Sequence, residues 1–201
     1  MFYETAENRH GLDHDPFKAI VAPRPIGWIG TKGRDGSHNL SPYSFFTAVS
    51  DRPKLVMFSS SGAKDSLKNA EETGAFTCSL VSRGLVEQMN RSSIAVPYGE
   101  SEFAIAGLTP VIGRLVDAPY VGEAHAVLEC RTTEVVRPRS VDGEVSENYV
   151  IFGQVVGIHI DEAIITKGRI DIGLARPVTR LGYMDYAETD EVFELMRPAR
   201  P

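Results

Sequence analysis

Residues 54–69 read KLVMFSSSGAKDSLKN: an apolar run at 55–58 empties into Ser59, Ser60 and Ser61, then Gly62, Lys64, Asp65 and Ser66. The run predicts a strand over 54–60. Ala63, Leu67 and Ala70 then recur at helical spacing, with Gly74 placed where a helix stops. Residues 75–81 (AFTCSLV) predict the next strand. The junction has two readings. Amides at a helix start carry partial positive charge and suit an anion such as phosphate; serine hydroxyls add donors and Lys64 adds charge. Alternatively, Ser61 or a neighbour simply caps the helix and Lys64 is solvated. The Gly-x-x-x-x-Gly-Lys-Ser/Thr pattern of a Walker loop is absent.

Working outward, residues 26–32 (IGWIGTK) predict a strand closed by Gly33, Arg34, Asp35 and Gly36, with a returning arm at 38–41. Asp-Gly between extended segments signals a hairpin, because the turn needs positive φ angles that glycine accepts. A short helix is expected over 85–90. Ala126, Leu128, Cys130 and Thr132 alternate with Val127, Glu129, Arg131 and Thr133, the pattern of a half-buried strand. Residues 149–160 (YVIFGQVVGIHI) form the longest β-like segment, and Gly153 and Gly157 in it suggest a bend or a close backbone approach. Strands outnumber helices and come in bursts rather than in β-α-β alternation. The expected architecture is therefore mainly β: a closed or nearly closed antiparallel barrel with a few short flanking α-helices. No repeat or linker divides residues 1–201, so one domain is expected.

The bulk properties narrow the function. With 201 residues and a net charge of −6, the chain has no broad attraction for nucleic acid or an anionic membrane. No apolar run approaches the ~20 residues needed to span a bilayer, and the N-terminus lacks a signal-peptide pattern. The two cysteines, Cys78 and Cys130, have no metal-binding spacing. A soluble cytoplasmic protein is expected.

Two further segments carry candidate chemistry. In residues 22–28 (APRPIGW), Pro23 and Pro25 bracket Arg24 next to the only tryptophan, Trp28. A stiff arginine arm there suits a planar or anionic ligand, and a proline-braced strand start with a core tryptophan is the plain alternative. In residues 39–46 (NLSPYSFF), small hydroxyls alternate with aromatic rings, fitting either a ligand with polar and apolar faces or an aromatic core cluster. His10 and His14 have helical spacing but lack a third ligand, so no zinc site is expected. His159 fits a barrel-facing or edge position better than a catalytic base. No Gly-x-Ser-x-Gly elbow and no Cys-His arrangement support a nucleophilic hydrolase.

In order, APRPIGWIGT, the DG hairpin, NLSPYSFFTAVSDRP, KLVMFSSSGAKDSLKNAEETGAF, SEFAIAGLTP, AVLEC, FGQVVGIHIDE and RLGYMDYAE resemble the flavin reductase-like family over about residues 17–187. The resemblance implies an FMN-binding split β-barrel, antiparallel and Greek-key-like, in a homodimer with one FMN per subunit. It implies that Ser59, Ser60, Lys64, Asp65 and Ser66, with Ser41 and Ser44, surround the phosphate and ribityl chain. Arg24, Pro25, Ile26 and Trp28 would lie along the flavin ring with residues 45–49, Phe45 and Thr47 among them; Pro42 and Tyr43 would also bind the cofactor, and Arg180 and Tyr186 would add contacts. Asp65 is expected to cap backbone amides or to neutralise Lys64, since facing a phosphate would be unfavourable. No catalytic acid, base or metal is expected, because the flavin carries the chemistry. The implied activity is hydride transfer from NAD(P)H to flavin N5. The acceptor would be free flavin, an iron chelate, oxygen or a partner monooxygenase. The alternatives are a non-enzymatic flavin- or haem-binding carrier or sensor on the same barrel, or a flavin enzyme acting on a small organic substrate.

Overall fold

The computed structural model describes residues 1–189 and 191–198. The first strands are β1 (Arg24–Pro25), β2 (Gly27–Lys32), β3 (His38–Tyr43), β4 (Phe46–Asp51), β5 (Lys54–Ser61) and β6 (Ala75–Ser79). They are followed by β7 (Pro110–Ile112), β8 (Pro119–Val121), β9 (Ala126–Val136) and β10 (Asn148–Ile160). Four short strands end the chain: β11 (Ile165–Thr166), β12 (Arg169–Ile170), β13 (Val178–Arg180) and β14 (Tyr186–Glu188). The helices are α1 (Phe17–Ile20), α2 (Asp65–Thr73), α3 (Val86–Arg91), α4 (Glu102–Ala106) and α5 (Ile172–Ala175). None among the described residues is long and apolar enough to cross a membrane.

Seven strands form one sheet in the order β3-β2-β6-β9-β10-β5-β4, antiparallel at every pairing. The edge strands β3 and β4 are consecutive in the chain and joined only by Ser44 and Phe45. Flat, a seven-stranded sheet would hold its edges roughly 29 Å apart, whereas a two-residue connection reaches only about 10 Å. The sheet therefore curls until its edges meet. The Ser59 amide donates to the Phe45 carbonyl at 2.8 Å, extending the β4–β5 pairing into this connection. This is the split barrel expected from the sequence.

The local signals behave as expected. The hairpin between β2 and β3 closes through Gly33, with Gly36 at φ 87. Helix α2 stops at Gly74, in the left-handed conformation at φ 71. The β9–β10 register shifts beside Gly153, where an added Cβ would lie 2.4 Å from the Phe76 ring. Inside the barrel, Tyr43, Phe58, Phe76, Ile29 and Ile151 pack together under Leu67 and Ala70 of α2. Complete burial of Phe58 and Phe76 contributes ~1.5–3 kcal/mol each.

Two places depart from the simple patterns. In β9 the neighbours Glu129 and Cys130 are both buried. The strand is covered on both faces there, because the amides of Arg114, Leu115 and Val116 fold onto the Glu129 carboxylate. His159 of β10 pairs with that carboxylate, so it lies on the face opposite Cys130 and does not face the barrel interior as expected. The small sheet β1-β13-β14 joins the chain ends and had no periodic signal in the sequence.

Candidate functional site

At the β5–α2 junction the serines take three different roles. Ser59 accepts from the Asn148 side-chain amide at 3.0 Å, and the fully buried Ser60 donates to the Gly62 carbonyl at 3.0 Å. Gly62 lies at φ 80, a conformation that favours glycine. Ser61 is exposed, and the residue preceding α2 is Lys64, with no side-chain cap. The capping reading is thus corrected: the Ser60 hydroxyl turns back onto its own loop, and Ser61 stands three residues short of the N-cap. The expectation for Asp65 is also corrected. Among the described residues it neither caps an amide nor pairs with Lys64; it sits half-buried in the first turn of α2. A carboxylate there faces the positive end of the helix dipole. Burial raises its proton affinity, opposed by Lys68.

Behind the junction, β3, β5 and α2 bring hydroxyls together. The Tyr43 phenol is buried and has no hydrogen-bond partner of good geometry. Burial pushes its pKa up, and the surrounding hydroxyls of Ser66, Ser60 and Ser41 oppose that shift. Ser66 itself accepts from Asn39 Nδ2 at 2.9 Å.

A second group of the expected residues lines a cleft of about 380 Å³: Arg24, Ile26, Pro42, Ser44, Arg180 and Tyr186. Ser44 links this cleft to the junction, since Phe45 follows it and receives the Ser59 amide. Arg24 is buried. Its Nη1 donates to the carbonyls of Lys18 and Val21, its Nη2 to that of Leu181 at 2.6 Å, and its Nε has no partner. Burial, then repulsion from Arg180, lowers its pKa. The Arg180 guanidinium stacks 4.4 Å from the Tyr186 ring centroid and donates to the Tyr183 carbonyl.

Other expected residues fall elsewhere. Pro25 and Phe46 share a separate apolar pocket of about 230 Å³, which Ile26 also lines. Thr47 is exposed on β4. Trp28 belongs to the core: it is fully buried, and its indole N–H donates to the Ser92 hydroxyl at 2.8 Å. The expectation that its side chain lies along a flavin ring is therefore corrected, because that side of β2 faces α3 and α4. The sequence pointed to neither Lys18, Tyr183 and Met184 in the cleft nor Asn148 beside Ser59. They come from the chain ends and from β10, and no local pattern marked them.

Both cysteines are buried, and burial pushes the Cys78 thiol up to about 12 and the Cys130 thiol well above its usual value, which disfavours the thiolate.

The sequence profile described as "Flavin reductase like domain" matches residues 21–174, and the chain belongs to that family. Flavin is accordingly its class of cofactor, and a flavin-related oxidoreductase its class of function. An uncharacterized protein of Halalkalibacterium halodurans is 35% identical over 183 residues, covering 89% of this chain and 87% of its own. The structure is similar to that of nitrilotriacetate monooxygenase component B from Bacillus cereus. The TM-score is 0.88 at 28% identity, over 97% of this chain and 98% of that one. It is also similar to flavoredoxin of Desulfovibrio vulgaris, with TM-score 0.74 and 28% identity over 88% and 91% of the two chains.

Proposed function

We propose that the protein binds FMN and works as an NAD(P)H-dependent flavin oxidoreductase. The observation that carries this reading is the uncapped start of α2 beside the Ser59 and Ser60 hydroxyls, in a chain of the flavin reductase family. FMN joins a dianionic phosphate, a polyhydroxyl chain and a flat ring, and the residues present fit each part. The first amides of α2 have no intrahelical acceptor and no side-chain cap, so with Lys64 they hold the phosphate. Ser41, Ser59 and Ser66 meet the ribityl hydroxyls, and the unpartnered Tyr43 hydroxyl is a donor those hydroxyls satisfy. Pro42, Ser44 and Phe45 flank the ring at the edge of the cleft, whose far wall of Arg180 and Tyr186 stays open beside it. When bound, FMN supplies the redox chemistry, accepting a hydride from nicotinamide C4 at its N5 and passing electrons onward.

Exposed Val49, Ile158 and Ile160 support a homodimer, with electrons leaving to a diffusible acceptor or a partner monooxygenase. Free, buried cysteines fit a cytoplasmic setting.

The visible absorption spectrum of the protein as purified, or after FMN is added, tests the cofactor: a colourless protein that binds no FMN refutes the reading. Lys64→Ala is expected to weaken FMN about tenfold more than riboflavin, the size of a lost charge-assisted contact. Equal weakening of the two counts against Lys64 at the phosphate. The similarity to a flavoredoxin favours an electron carrier as the second reading. Rapid bleaching of bound flavin by NADH or NADPH in stopped flow supports the reductase, and its absence supports the carrier.

A further inference from the structure

The cleft at the chain ends gathers positive charge around a buried arginine. Its lining includes Lys18, Arg24 and Arg180 and no carboxylate, in a chain of net charge −6. Some cations elsewhere pair with acids, as in Lys32–Asp117, Arg34–Glu72, Lys54–Asp51 and Arg169–Glu194, though those are exposed or half-exposed pairs. Among the described residues none of the three cleft cations lies within 4.0 Å of a carboxylate. Arg24 is only 7% exposed, and its Nε is buried without a partner. A buried cation without a counter-ion is costly, and an anionic ligand relieves that cost.

The cleft wall is shaped as well as charged. Tyr183 stands at φ 55, a backbone conformation that bulky residues rarely adopt and that concentrates at ligand clamps. Its neighbour Gly182 packs so closely on α1 that an added Cβ would lie 2.5 Å from the Ala19 Cβ. The Tyr183 carbonyl is held by Arg180, while its ring stays 47% exposed with His14 5.5 Å away. Tyr186, under the Arg180 guanidinium, offers a second exposed ring. Flat rings beside unpaired cations suit a planar base that carries a phosphate.

We infer that this cleft recognises the 2′-phosphoadenosine end of the electron donor through Arg180, Lys18 and Tyr183, so that the protein prefers NADPH to NADH. The inference rests on the flavin reading above and names the donor for that site. On that reading the FMN phosphate sits at the start of α2, whose lining residues are not those of the cleft, which leaves the cleft cations for a second anion. Arg24 acts as a positioning residue: its contacts to Lys18, Val21 and Leu181 tie the N-terminal arm to the turn that carries Tyr183.

The test is calorimetric titration of the FMN-loaded protein with adenosine 2′,5′-bisphosphate and with 5′-AMP, alongside KM values for NADPH and NADH. The bisphosphate is expected to bind at least about tenfold more tightly than 5′-AMP, the size of one charge-assisted contact. Arg180→Gln and the surface variant Lys18→Gln are each expected to shrink that ratio and to raise the NADPH KM more than the NADH KM. Equal binding of the two nucleotides by the unaltered protein, or variants that weaken both alike, overturns the inference while leaving FMN binding intact. A protein that takes up no FMN overturns both readings.

Discussion

Replacing Glu129 with glutamine probes the buried carboxylate around which one face of the barrel is organised. The side chain is 1% exposed, and its oxygens accept the amides of Arg114 at 2.8 Å, Leu115 at 2.6 Å and Val116 at 3.1 Å, with His159 against Oε1. Burial pushes this carboxyl up, but the hydrogen bonds from His159, Arg114 and Leu115 outweigh it and hold the pKa below its ordinary value. Glutamine keeps the shape and turns one acceptor into a donor. Placed at Oε1, the new amide faces the Arg114 N–H; placed at Oε2, it faces those of Leu115 and Val116. The milder placement loses one backbone bond and the charge assistance of the others. Hydrogen bonds to charged groups are worth ~1.5–3 kcal/mol each, so a loss of roughly 2–4 kcal/mol is expected. Total stabilities of ~5–15 kcal/mol make that readily measurable by urea unfolding at neutral pH. The sign with pH follows from the depressed folded value. The stabilisation is present above the unfolded value of 4.5 and is lost as pH falls through the lower folded one, so the gap between wild type and variant narrows in acid. A variant within ~0.5 kcal/mol of wild type at neutral pH, or a gap that does not narrow, would refute this reasoning.

Two further substitutions separate stability from binding. Tyr43→Phe removes a buried hydroxyl that has no partner, so the flavin-free protein should be unchanged or up to about 1 kcal/mol more stable, while FMN binds more weakly. Thermal melts with and without FMN check this, and a less stable flavin-free protein sinks it. Glu102 is 6% exposed, accepts the Leu40 amide at 2.9 Å, and has its carboxyl pushed up by burial. Ionising it costs stability as pH rises through the raised folded value, so Glu102→Gln, which keeps an acceptor, should gain on wild type from about pH 5 to about pH 8. A constant difference across that range contradicts the assignment.

What was legible in the sequence was local. The Asp35-Gly36 turn, the stop at Gly74 and the break at Gly153 each need glycine for a reason contained within a few residues or one strand neighbour. The misreadings were also local patterns, but they had two structural solutions. Ser61 precedes a helix and still does not cap it, because Lys64 takes the N-cap. Trp28 follows the arginine arm, yet its strand turns it into the core, where Ser92 satisfies the indole N–H. Glu129 reads as one member of an alternating strand, and nothing in β9 announces the loop at 113–118 that buries it.

The ordered set of segments was enough to determine the family, the barrel and the strand-to-helix junction with its serines, because these depend on spacing between near neighbours and on motif order. The cleft was decided only by tertiary structure. Arg24 meets the Leu181 carbonyl across 157 positions of chain, and the two edge strands β3 and β4 come together only because the sheet curls. Periodicity registers residues two to four apart, whereas sheet closure and the docking of the chain ends determine which distant side chains share a wall. The unpaired positive charge of that wall exists only once Lys18, Arg24 and Arg180 have been brought together without an acid among them.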